Sequence, residues 1–86
     1  MAHNDHVIIL KQGVHVWNKW RIDNPDVIPQ LSRIDFGDLI GVHNDLTGIN
    51  LSNGYIESSS LFEMNFENSN FESAILQNAN CYSTNF

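Results

Sequence analysis

Four histidines, one cysteine and a large set of serines are the residues of this 86-residue chain that could carry chemistry. His3 and His6 have the i, i+3 spacing that lets two imidazoles share a metal ion. No third ligand stands near them, and zinc sites need three or four converging ligands. His15 falls on the polar side of a predicted helix and His43 in an irregular stretch, so the expectation is surface histidines and no metal. Cys81 belongs to an apolar series and reads as a small filler rather than a nucleophile. No base is placed to activate a serine. Gly37, Gly41, Gly48 and Gly54 are spaced as corners or slots of a repeat, not as a phosphate-binding loop. The residues therefore predict no catalysis, no cofactor and no small-molecule substrate.

The elements that must position these residues are more telling. From Asn44 onward every fifth residue is apolar: Leu46, Leu51, Ile56, Leu61, Phe66, Phe71, Leu76, Cys81 and Phe86. Two residues before each lies a slot of mostly small or apolar residues, among them Ile49, Gly54, Ser59, Met64, Ala74 and Ala79. A period of five matches neither the helix nor the strand, so it is a repeat. To point two residues of each five inward, the chain must turn a corner every five residues. Four corners close a square turn of 20 residues, and successive turns would stack roughly 4.8 Å apart. Columns of Leu31, Leu51 and Phe71; Phe36, Ile56 and Leu76; Gly41, Leu61 and Cys81; and Leu46, Phe66 and Phe86 would then fill the interior. The grid falters around Leu39 to His43, where Gly41 stands in a slot meant for a large residue. The expected fold class is an all-β solenoid of about three coils.

The units Asn44-Asp45-Leu46-Thr47-Gly48 and Ala79-Asn80-Cys81-Tyr82-Ser83 resemble the pentapeptide-repeat family, whose consensus is alanine-aspartate/asparagine-leucine-x-x. The resemblance covers roughly two thirds of the chain and implies a right-handed quadrilateral β-helix. The segment from Leu10 to Val14, with Trp17-Asn18-Lys19-Trp20-Arg21, is similar to a leader that precedes such repeats in many bacterial members. Ser59, Ser69 and Thr84 replace the family's alanine, and Gly41 and Cys81 its leucine.

Ahead of the repeat, Asn4 or Asp5 can cap a helix running from about Asp5 to Arg21. Leu10, Val14 and Trp17 fall on one side of it, with Ile9, Gly13, Val16 and Trp20 beside them, in an arc roughly 160° wide. Such an arc predicts an N-terminal cap formed by Leu10, Val14, Trp17 and Trp20 over the end of the following domain. A sharper possibility is that one Trp is kept for a partner. Asp23-Asn24-Pro25-Asp26 breaks the helix. The organisation expected is a capping segment, residues 1–28, and a repeat domain, residues 29–86.

The net charge is −6, and all the basic residues (Lys11, Lys19, Arg21, Arg33) precede seven acids that follow Arg33. Such a surface repels phosphate, which argues against direct nucleic-acid binding. No run approaches the roughly 20 apolar residues of a membrane span, and no secretory leader is evident. A single cysteine excludes an intrachain disulfide and fits a cytoplasmic setting. Two functional expectations follow. The first is a protein-interaction scaffold, either a homo-oligomer stacked end to end through Leu76, Cys81 and Phe86 or the front module of a longer chain. The second is an acidic DNA mimic acting on a DNA-binding enzyme such as gyrase. A column of roughly 14 Å is short for that role, and the acids fall on different faces.

Overall fold

The computed structural model describes residues 2–40 and 44–86. Its regular elements are three helices: α1 (Asn4–Lys11), α2 (Val14–Asp23) and α3 (Phe36–Ile40). No β-strand occurs among the described residues. Pairing is confined to seven isolated parallel bridges, each one residue long. The all-β class, and with it the β-helix and solenoid, is therefore corrected to a small helix-containing, turn-rich globule with no sheet among the described residues. The cause is local. A corner at every fifth residue leaves one residue between corners free to pair, too few to extend into a ladder of strands.

The corners are β-turns. The amides of Ile49, Gly54, Ser59, Met64, Ser69, Ala74, Ala79 and Thr84 each donate to the carbonyl three residues back, at 2.9–3.3 Å. In each turn the third residue has positive φ: Gly48 at 79°, then Asn53, Ser58, Glu63, Asn68, Ser73, Asn78 and Ser83 at 57–62°. Only one of these is glycine. Left-handed backbone costs a residue with a Cβ about 1–2 kcal/mol, so the turns must be held from outside. Part of that hold, in five of the eight turns, comes from the residue ahead of the turn. Side-chain oxygens of Asp45, Asn50, Asn65, Asn70 and Asn80 accept the amides of Thr47, Ser52, Glu67, Glu72 and Tyr82 at 2.9–3.1 Å. These are Asx turns, and they account for the abundance of Asn and Asp immediately before the apolar positions.

Bridges from Asp45 onward join residues 20 apart, such as Asp45 to Asn65 and Asn65 to Asn85. Gln30 and Asp35, by contrast, pair 25 residues ahead, with Tyr55 and Ser60. The interval between these two sets contains α3, which lengthens the first circuit. The columns shift accordingly: Leu31 donates to the carbonyl of Tyr55 at 2.8 Å and Phe36 to that of Ser60 at 3.0 Å. Leu31 thus aligns with Ile56 rather than Leu51, and Phe36 with Leu61 rather than Ile56. Gly41 and His43, assigned to the irregular unit, lie outside the described residues.

One apolar cluster holds the molecule together. Leu10, Trp17, Leu31, Phe36, Leu46, Ile49, Leu51, Ile56, Leu61, Met64 and Phe66 are buried in it. Helix and repeat residues share this core, so the boundary near residue 28 separates two kinds of local structure, not two cores. The single helix expected from Asp5 to Arg21 is two helices. Gly13, at φ 100°, breaks it and caps α2, while the cap of α1 is His3, whose ring accepts the amide of Asp5. Positive φ at Gly13 is accessible without steric cost, which a reading of apolar spacing alone does not register.

Candidate interaction surfaces

The isolated bridges join residues 20 or 25 apart, and among the described residues Asn50 is bridged only to Asn70. On the other side of Asn50, side chains of α2 meet its backbone. The indole Nε1 of Trp17 donates to the carbonyl of Asn50 at 2.7 Å, and Arg21 Nη1 donates to the same oxygen at 2.8 Å. Arg21 Nη2 donates to the carbonyl of Ser52 at 2.9 Å. Asn18 completes the set, accepting the Asn50 amide at 2.8 Å and donating to the Gly48 carbonyl at 3.0 Å. Four backbone groups between residues 48 and 52 are satisfied by side chains of one helix. Burying them unpaired would cost about 1–3 kcal/mol each.

Of the residues expected to form the cap, Leu10 and Trp17 are fully buried, and Val14 and Trp20 pack against the core at partial burial. Arg21 and Asn18 were not among them. Arg21 is buried except for 7 % of its surface, and burial lowers its pKa from the usual guanidinium value. Its Nε is buried without a partner, a cost offset by the charge-assisted bonds of the other two nitrogens. Position on a helical wheel marks Asn18 as polar and Arg21 as terminal. Neither label carries the information that backbone acceptors lie opposite.

α1 serves the same purpose at the other side. The His3 amide donates to the Gln30 carbonyl at 2.9 Å, and the Gln30 amide donates to His6 Nδ1 at 3.0 Å. His6 is therefore not a surface histidine: it is 7 % exposed, with its ring between those of His3 and Trp20 at centroid distances of 4.5 and 4.8 Å. It is buried because α1 folds back onto Gln30, a long-range contact that the i, i+3 spacing of His3 and His6 does not encode. His3 and His15 are exposed. Among the described residues, no group of three or more His, Cys, Asp or Glu side chains could hold a metal ion.

At the far end the apolar series emerges from the core. Leu46, Leu51, Ile56, Leu61 and Phe66 are buried, Phe71, Leu76 and Cys81 half-buried, and Phe86 is 55 % exposed. The amides of Leu51, Ile56 and Leu61 donate to the carbonyls of Asn70, Ile75 and Asn80 at 2.8–2.9 Å. Their counterparts one circuit later, the amides of Phe71, Leu76 and Cys81, have no acceptor among the described residues. Phe66, Phe71 and Phe86 pack together at centroid distances of 5.0–5.8 Å and form an aromatic corner on this face. Desolvation raises the Cys81 thiol pKa, which favours the protonated form over the nucleophilic thiolate.

Two of the acids that a DNA mimic would display are engaged in intramolecular hydrogen bonds. Glu57 accepts from the hydroxyl of Ser32, and Asp35 accepts the amides of Gly37 and Asp38. Among the described residues, no helix is long and apolar enough to cross a membrane. No family model matches the chain, and neither a curated protein nor a solved structure matches it.

Proposed function

We propose that this chain is a non-catalytic interaction scaffold that self-associates through the face carrying Phe71, Leu76, Cys81 and Phe86. The observation that supports this reading is the juxtaposition of three backbone amides without an acceptor among the described residues and four incompletely buried apolar side chains. A row of open donors is a template for pairing with another chain, and apolar side chains beside it add burial at roughly 25 cal/mol per Å². In a longer chain, the segment that follows would use the same donors. The kinship with pentapeptide-repeat proteins belongs to this proposal and rests on the repeat residues. The cytoplasmic setting belongs to it as well, since an unpaired Cys81 suits a reducing compartment.

Sedimentation velocity over a range of concentrations tests the proposal, with wild type set against Phe86→Asp. Self-association in the wild type and loss of it in Phe86→Asp is the expected pair of results. A wild type that stays monomeric at every concentration, with the same profile as the variant, removes the self-association reading. Phe86 is more than half exposed but stacks on the core residue Phe66 at 5.8 Å, so circular dichroism of the variant accompanies the comparison.

A further inference from the structure

Gln30 is the first bridged residue of the chain, and its outer edge is held by two hydrogen bonds from the start of the chain. One of them depends on a proton count. His6 accepts the Gln30 amide through Nδ1, so its ring must be neutral with its single proton on Nε2. A second proton would go to Nδ1 and turn the acceptor into a donor facing a donor. We propose that His6 is a proton-operated latch: neutral, it fastens α1 to Gln30; protonated, it releases α1 from that edge.

The surroundings favour such a switch. The ring is buried, stacked on His3 and packed on Trp20, so a positive charge there is poorly solvated. The titratable groups acting on it come from its own end of the chain. His3 opposes a charge on His6, and Asp5 favours one. From α2 it meets Trp20, and from the segment ahead of Leu31 it meets Gln30; neither titrates. A cleft of about 560 Å³ beside His3, His6 and Trp20 gives solvent protons a route to the ring. Desolvation is the largest influence and holds the pKa below the ordinary histidine value of 6.5. Opening therefore belongs to pH below that value, and it would uncover the groups of Gln30 that His3 and His6 now satisfy.

The experiment is amide hydrogen exchange read at Gln30 and Val7, as protection factors corrected for intrinsic pH dependence, on wild type, His6→Asn and His6→Leu. Asparagine offers an oxygen near the Nδ1 position and does not titrate. For the wild type, protection at Gln30 falls about tenfold as pH drops below 6.5, the scale of losing one buried hydrogen bond. His6→Asn keeps its protection across the range, and His6→Leu is low throughout. Wild-type protection that is flat with pH overturns the proposal. So does a fall in His6→Asn with the wild-type midpoint, which would assign the effect to another group. The wild-type titration decides even where a variant does not fold.

Discussion

Arg21 donates to the Asn50 carbonyl at 2.8 Å across 29 residues of chain, and in doing so takes the place of a neighbouring backbone. The carbonyl of Asn50 also receives the Trp17 indole, and that of Ser52 receives the second guanidinium nitrogen. Side-chain donors of α2 thus satisfy backbone carbonyls that no bridge partner meets among the described residues. Specific consequences for stability follow.

Replacing Arg21 with leucine removes three charge-assisted bonds, to the Asn50 and Ser52 carbonyls and the Ser52 hydroxyl, while keeping some of the packing. The Ser52 carbonyl loses a donor outright, and Asn50 keeps Trp17. The expected loss is about 2–3 kcal/mol, read as a lower denaturant midpoint at unchanged slope. Arg21→Lys restores only part of it, because an ammonium cannot reach two carbonyls in the guanidinium's fork geometry. Full recovery by lysine would show that charge alone matters.

Trp17 separates packing from hydrogen bonding. Trp17→Phe keeps a large apolar ring but leaves the Asn50 carbonyl with Arg21 as its one side-chain donor among the described residues, at a cost of about 1–2 kcal/mol. Trp17→Ala opens a cavity in the common core and costs about 3–5 kcal/mol. Equilibrium unfolding of both variants measures the gap, and equal losses would mean the indole bond contributes all of the effect.

Positive φ at Glu63 is an unrelieved conformational cost, since no Asn or Gly occupies that corner. Glu63→Gly is expected to stabilise by up to about 1 kcal/mol, the steric gain less the unfolded-state entropy of glycine. Gly54→Ala goes the other way, because an added Cβ would sit 3.0 Å from the Leu51 carbonyl oxygen. Thermal unfolding of the pair should give shifts of opposite sign.

Global stability should also depend on His6. Its folded pKa is held below 6.5, so the unfolded chain binds more protons in that region. Its contribution is complete above about 6.5 and is lost as pH falls through the folded value. Denaturation at about pH 7.5 and 5.5 should show a smaller drop in His6→Asn than in wild type, and an equal drop would assign the dependence to the carboxylates.

What the chain's letters disclose is uneven, and the reasons are physical. The five-residue spacing of Leu46 to Phe66 is legible because each of these residues is buried, and burial writes itself into residue type. The absence of strands was not legible. Spacing shows that the chain turns, but whether one residue or three pair between turns depends on how tight each turn is. The shift of Leu31 from Leu51 to Ile56 was hidden because α3 consumes one unit of the grid without a strong signal of its own. His6, Asn18 and Arg21 escaped for a common reason: each acts on a backbone group some 24–32 residues away. Backbone donors and acceptors have no residue type, so no letter in the sequence pairs with them.

The face carrying Leu76 holds the central claim, and the Leu76 amide reports on it directly. Its counterpart Ile56 is already bonded to the Ile75 carbonyl at 2.9 Å and serves as an internal control. Hydrogen exchange at both amides, followed as protein concentration rises, separates a covered edge from an open one. Self-association predicts that Leu76, with Phe71 and Cys81, becomes protected as concentration increases while Ile56 stays constant. Exchange at Leu76 that is fast and independent of concentration would contradict it.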